Sequence, residues 1–172
     1  LGFSENELIE AAISQMRQLP FYHSFTGKTC ESTINLSEKL IEIAPNNLKK
    51  IFFCNSGSEA NDTAIKIVWY YHASLGNPQK RKIISRKGSY HGVTLAAASL
   101  TALEYAQKGF SLPLDFAIHT SWPHYFQNSN ENESEKDFSN RLVNDLVKLI
   151  ESEGAENIGA FIAEPIMGAG GV

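Results

Sequence analysis

The chain has 172 residues, 42% of them hydrophobic, which is enough for one globular core, and it carries a formal net charge of -4. That mildly acidic balance, with no basic block anywhere, argues against a nucleic-acid or anionic-membrane surface. No apolar run approaches the ~20 residues that span a bilayer, no signal-peptide pattern stands in these residues, and Cys30 and Cys54 have neither metal nor redox spacing, so a reducing cytoplasm is expected. The five histidines do not cluster. His119 and His124 flank Trp122-Pro123, which is no rigid helical ligand pair, and no metal site is expected.

In chain order, Ser4 and Glu7 have capping-box spacing and open a predicted helix whose stripe is Leu8, Ala12, Met16 and Leu19; Pro20 ends it. Phe21 to Phe25 is aromatic-rich with no helical or strand period, and it reads as an ordered loop running into Thr26-Gly27-Lys28. A short helix is predicted from about Leu36 to Ala44, stopped by Pro45. Ile51 to Cys54 is apolar on both faces, as expected of a buried parallel strand. It meets the turn Asn55-Ser56-Gly57-Ser58, where Ser56 and Glu59 again have capping-box spacing. The helix that follows carries Ala60, Ala64, Ile67, Val68 and Tyr71 on one stripe and ends near Gly76 and Pro78.

A second strand, about Lys82 to Ser85, leads into Arg86-Lys87-Gly88-Ser89-Tyr90-His91-Gly92, and the small residues from Thr94 to Ser99 read as a tightly packed helix. Gln127 to Asn140 is the most polar stretch and reads as a surface excursion. It runs into a helix that buries Phe138, Leu142, Leu146, Leu149 and Ile150 and closes at Gly154. The last strand, Ile158 to Ala163, meets Glu164-Pro165 and then Gly168-Ala169-Gly170-Gly171. Strands alternating with long helices predict an α/β fold with a mostly parallel sheet. In such sheets ligands sit beyond the carboxyl ends of the strands. Parallel strands would open the three turns after Cys54, Ser85 and Ala163 onto one edge.

Each group at that edge has two readings. A helix start at Ser56 leaves backbone N–H groups pointing out of a positive helix end, where a phosphate binds well. The same residues also make an ordinary cap, and taken alone the motif supports both readings equally. Gly57 and Ser58 would present the donors to a phosphate; Tyr90 and His91 offer an aromatic face with an imidazole beside it; Glu164 is held extended by the proline after it. A loop Tyr-His is most often packing, and a strand-end Glu is most often a structural acceptor. Together they suit a planar aromatic cofactor that carries a phosphate, such as pyridoxal phosphate.

Ser56 to Asp62, Tyr90-His91-Gly92 and Glu164 to Gly171 resemble, in this order and spacing, the class III aminotransferases, which are pyridoxal-phosphate enzymes of the fold-type I (aspartate aminotransferase-like) architecture. Leu19 to Phe25 and Ile84 to Gly92 are similar to the ω-amino acid or amine:pyruvate branch, and Tyr90 stands where the ornithine and 4-aminobutyrate branches more often have Phe. The resemblance implies that Gly57 and Ser58 hold the cofactor phosphate, that Tyr90 stacks on the pyridine ring with His91 beside it, and that Glu164 orients the aspartate pairing with the pyridinium nitrogen. It implies Ala169 as a small residue of the substrate pocket, and Phe25 as part of a segment that lines the partner subunit's pocket in the family's dimer, the full-length protein being expected as a homodimer or higher homo-oligomer.

It also implies that residues 1–172 are part of the large cofactor-binding domain. On that reading the N-terminal segment, the rest of that domain and the C-terminal small domain are expected to lie outside these residues. The Schiff-base lysine and the pyridinium-pairing aspartate are expected beyond Val172, so no catalytic residue is assigned within the chain and the fragment alone is expected to be inactive. Lys66 and Lys87 read as solvated charges. The reaction expected of the full-length protein is transfer of an amino group from an ω-amino acid or amine to pyruvate or a related keto acid. The alternatives are another reaction on the same fold and cofactor (aminomutase, racemase or decarboxylase) or a truncated, non-catalytic product.

Overall fold

A computed structural model describes residues 2–171, which fall into two units divided after Phe52. The first unit holds two helices, α1 (Asn6–Gln18) and α2 (Glu31–Ile43). Helix α1 starts one residue later than the Ser4 cap predicts. Its N-cap is Glu5, whose carboxylate accepts the Glu7 N–H at 3.4 Å, so an acid does at the positive helix end what the serine was expected to do. Helix α2 begins five residues before the predicted Leu36. Its first turn, Glu31-Ser32-Thr33, is polar and hides the start from a search for an apolar stripe. Between them Phe21 to Phe25 lies in a loop, as expected, with the Tyr22 and His23 rings stacked at 4.7 Å.

The second unit is α/β. Its elements are α3 (Gly57–Ser74), β1 (Lys82–Arg86), α4 (Leu95–Leu100), α5 (Glu104–Gln107), β2 (Ala117–Thr120), α6 (Tyr125–Asn128), α7 (Glu135–Glu153), a 3-10 turn (Ala155–Asn157) and β3 (Ile158–Phe161). The sheet runs β2-β1-β3, and both pairings are parallel. Two of its strands are those predicted; β2 is not. Ala117-Ile-His-Thr is too short and too polar to stand out, and it becomes a strand by pairing with β1 from Ile83–Ala117 to Arg86–Thr120. Conversely, Ile51 to Cys54 pairs with nothing among the described residues. The buried strand expected there is not formed: Phe52 and Phe53 are 72% and 43% exposed, and a strand needs a ladder partner.

The core lies where Ile65 of α3, Ile83 of β1, Leu100 of α4 and Ala117 of β2 meet, with Trp69, Phe116, Ala160 and Ile162 packed around them. Ile84, which a strand turns to the opposite face, is equally buried. The end of α3 is a Schellman motif: Gly76, at φ +80, donates to Ala73 O and Asn77 donates to His72 O. The turn returns the chain to β1, and the Trp69 indole N–H then fastens to Arg81 O at 2.9 Å. Helix α7 is capped by Ser134, buries Phe138 as predicted, and ends at Gly154, φ +80. Lys80 reaches the carbonyls of Ala155 and Ile158, and the His72 ring bonds Gly159 O, which together seat β3 beside β1.

Candidate functional site

The start of α3 is capped as its sequence predicts. Ser56 Oγ accepts the Glu59 N–H at 3.2 Å. The reciprocal half differs, because the Glu59 carboxylate takes the backbone and side-chain N–H groups of Asn55 instead of the Ser56 N–H. The first N–H groups of a helix have no carbonyl to reach within it. Those of Gly57 and Ser58 have no partner among the described residues, and a Cβ built on Gly57 would meet nothing within 4 Å. This end of the helix is open.

The Tyr90-His91-Gly92 loop is drawn against that end by bonds the sequence does not announce. Ser58 Oγ accepts the Val93 N–H at 3.0 Å, and Asn61 Nδ2 donates to His91 O. Asp62 Oδ1 takes the Thr94 hydroxyl at 2.8 Å and the Ala97 N–H at 3.0 Å, which caps α4. Gly92 sits at φ +133, and a Cβ there would lie 2.5 Å from Ser58 Oγ and 2.9 Å from Ala97 Cβ. Only glycine lets loop and helix approach this closely.

Five consecutive N–H groups of this loop each find a fixed acceptor. Ser89 donates to Arg86 O, Tyr90 to Glu164 Oε1 at 3.0 Å, His91 and Gly92 both to Thr101 Oγ1, and Val93 to Ser58. Thr101, fully buried, also donates its hydroxyl proton to Gly92 O at 3.0 Å. The Tyr90 side chain is left 42% exposed on this pinned backbone. His91 is buried, its Nε2 has no hydrogen-bond partner, and burial pushes its pKa below the ordinary histidine value against an opposing pull from Glu164.

Glu164 stands past the end of β3 and Arg86 at the end of β1. Arg86 Nη2 donates to Glu164 O and lies 3.6 Å from Glu164 Oε2, and both side chains are largely buried. Arg86 Nε and Glu164 Oε2 have no further partner. Beyond Glu164, Trp122 Nε1 donates to Gly170 O at 2.9 Å, and Gly170 lies so close to Gly88 O that a Cβ would fall 1.7 Å from it. Ala169 is exposed on the turn this contact fixes.

Gly57, Ser58, Tyr90, His91 and Glu164 are therefore linked by direct bonds or one intervening residue. The prediction that three strand ends collect them is corrected: β1 and β3 supply two of the turns, while the Ser56 turn follows no paired strand and is joined by side-chain bonds. Phe25, 76% exposed, belongs to the first unit. Arg86, Thr101 and Trp122 had no role in the sequence reading, and neither did Asn61 and Asp62, although both stand in the motif that carried the resemblance. Lys66 and Lys87 are exposed. Among the described residues no group of His, Cys, Asp or Glu could hold a metal, and no helix is long and apolar enough to cross a membrane.

The family model for aminotransferase class-III matches residues 1–172. The gamma-aminobutyrate transaminase 1, mitochondrial, of Oryza sativa subsp. japonica is 49% identical over the whole chain, which covers 34% of that protein, and vanillin aminotransferase of Capsicum frutescens is 49% identical with 38% covered. Among solved structures, the omega transaminase from Pseudomonas jessenii in complex with PMP superposes with a TM-score of 0.97 at 53% identity, covering all of this chain and 38% of that one. The PMP-bound aminotransferase from Vibrio fluvialis gives 0.95 at 47% identity, covering 99% and 38%. The chain belongs to the class-III aminotransferases, a pyridoxal-phosphate family, and shares the fold of these transaminases. It spans little more than a third of the length of the relatives it matches.

Proposed function

We propose, with membership of the class-III aminotransferases as the premise, that the protein containing this chain is a pyridoxal-phosphate aminotransferase that moves an amino group from an amine or ω-amino acid to pyruvate or a related keto acid. The observation that carries the reading is the joining of the open α3 N-terminus to Tyr90 through the Ser58–Val93 bond and the close approach of Gly92.

The residues fit the cofactor. Two unpartnered N–H groups at a positive helix end, with free space in front of Gly57, suit a phosphate. The half-exposed Tyr90 ring on a fixed backbone suits a stacked pyridine. The free valences of His91 Nε2 and Glu164 Oε2 suit polar neighbours on the ring side, among them the family's pyridinium-pairing aspartate, which Glu164 would orient. When bound, pyridoxal phosphate supplies the electron sink that lets a proton leave the carbon bearing the amine. The part of this chain is to bind and orient: Gly57 and Ser58 hold the anion, Tyr90 sets the plane of the ring, and His91 borders it from a buried position.

Ala169, exposed on the turn held by Trp122, is assigned to the substrate pocket, where its small side chain sets the room for the amine. Phe25 is assigned to the pocket of a partner subunit in a homodimer. Residues 1–172 are assigned to the large domain, and the lysine and aspartate of the chemistry to the remainder of the protein. The cytoplasm remains the assigned compartment on the strength of two free cysteines, although the rice relative is named for the mitochondrion.

The test is alanine formation by the full-length protein from pyruvate and an amine donor. Pyruvate-dependent turnover that requires added pyridoxal phosphate is the expected result. Turnover of the amino compound without any keto acid would replace the aminotransferase reading with an aminomutase, racemase or decarboxylase.

A further inference from the structure

Outside the groups assigned to the cofactor, the strongest unexplained chemistry in the second unit is the guanidinium of Arg86. It sits on the last residue of β1, its side chain 19% exposed, and its Nη2 meets both the backbone oxygen and the carboxylate of Glu164. The other oxygen of that carboxylate, Oε1, accepts the Tyr90 N–H. The bonds form a single line: strand β1, Arg86, Glu164, backbone of Tyr90. Nothing else holds the Tyr90 N–H, whereas its neighbours on either side are fixed by Arg86 O and Thr101.

We propose that Arg86 is a positioning residue for the Tyr90 ring, acting through Glu164; this rests on the reading of the site given above. A buried carboxylate needs a cation or several donors to stay in place. Here the carboxylate has one donor, the Tyr90 N–H, and one cation, the guanidinium 3.6 Å from Oε2, which also hydrogen-bonds the backbone oxygen of the residue carrying the carboxylate. Remove the guanidinium and Glu164 keeps only the Tyr90 N–H and turns toward water. Tyr90 then loses its fixed acceptor, and the plane it offers a bound ring is no longer preorganised. Arg86 Nε and Glu164 Oε2 have no hydrogen-bond partner of their own, so the pair is not closed on itself.

The experiment uses the full-length protein loaded with pyridoxal phosphate, and compares Arg86→Gln, Arg86→Lys, Tyr90→Ala and the double variant Arg86→Gln/Tyr90→Ala. Cofactor loss on dilution, the circular dichroism of the bound-cofactor band and the melting of the cofactor-free protein are measured. Charge-assisted bonds are the strong ones, so Arg86→Gln should release cofactor about tenfold faster and change the dichroism of the band. Arg86→Lys keeps the charge without the planar fork and should fall between, at about threefold; it carries the test if the glutamine variant does not fold. In the Tyr90→Ala background the Arg86→Gln change should add less than about twofold, because coupled residues are not additive.

A merely structural arginine would lower the melting temperature equally in both backgrounds and leave the band unchanged, which overturns the proposal. If wild type retains cofactor and Tyr90→Ala weakens it while both Arg86 variants do not, the proposal fails and the cofactor site stands. Wild type that retains none overturns both.

Discussion

The two glycines at the start of α3 and in the loop that meets it should respond oppositely to a methyl group. At Gly92 the added Cβ would stand 2.5 Å from Ser58 Oγ, 2.9 Å from Ala97 Cβ and 3.0 Å from Ser58 Cα, and the backbone is at φ +133. The Ser58 Oγ is no flexible tip; it is one bond from Cβ and engaged with Val93. A disfavoured φ costs on the order of 1–3 kcal/mol and overpacking another 1–3, so Gly92→Ala should destabilise by about 2–6 kcal/mol. At Gly57 the φ is ordinary and nothing lies within 4 Å, so Gly57→Ala should change stability by less than about 0.5 kcal/mol. It places its methyl in the space assigned to the phosphate, however, and should weaken pyridoxal-phosphate binding about tenfold. Urea unfolding of the cofactor-free full-length protein and a cofactor titration read the two effects separately. Equal destabilisation by the two variants would refute the packing argument. A normally folded Gly57→Ala with wild-type cofactor affinity would refute the anion cup.

Thr101→Val, nearly isosteric, strips the one acceptor of the His91 and Gly92 N–H groups and the one donor to Gly92 O, all buried, and should cost about 2–5 kcal/mol, while Thr101→Ser should recover most of it. Urea midpoints and hydrogen exchange at those two amides check it; exchange unchanged in the valine variant would remove Thr101 from the loop's support. Burial lowers the folded-state pKa of both His91 and His119 below 6.5. The unfolded chain therefore binds more protons than the folded one as pH drops through 6.5. Their contribution is fully present above that value and is lost on acidification, at up to about 1.4 kcal/mol per pH unit for each group. His119 Nε2 bonds Ser99 O, so His119→Gln, which keeps an N–H to offer it, should flatten the slope between pH 7 and 5.5; an unaltered slope would count against the shift.

What could be read from the sequence was what chemistry makes local. Ser56 and Ser134 announce their helices because a cap and its donor stand three residues apart, and the Gly76 and Gly154 turns follow from positive φ. Long-range pairing left weaker traces. Ala117 to Thr120 is a strand only because Ile83 to Arg86 lies beside it, and Ile51 to Cys54, with the stronger apolar signature, has no ladder among the described residues. Its Phe52 and Phe53 are also 72% and 43% exposed, because burial and strand identity alike depend on what lies alongside, which no short window contains.

The site shows the same division. Its groups were named from residue type and from their places after apolar runs, yet the bonds that assemble them belong to residues with no catalytic look. Asn61 and Asp62 stand one helical turn inside α3, on the side that meets the loop, and bind the His91 carbonyl, the Thr94 hydroxyl and the first turn of α4. The Ser56 to Asp62 motif is therefore two devices laid end to end: an open helix terminus, and a latch holding the aromatic loop against it. Thr101, at the far end of α4, closes the latch from the other side. The latch and the Arg86–Glu164 pair act on neighbouring atoms of one loop, so the anion-binding end and the ring platform are set relative to each other by bonds within this chain, before any ligand arrives. A substitution at Asp62, which bonds Thr94 and Ala97 and none of the groups assigned to the cofactor ring, would accordingly be felt at Tyr90.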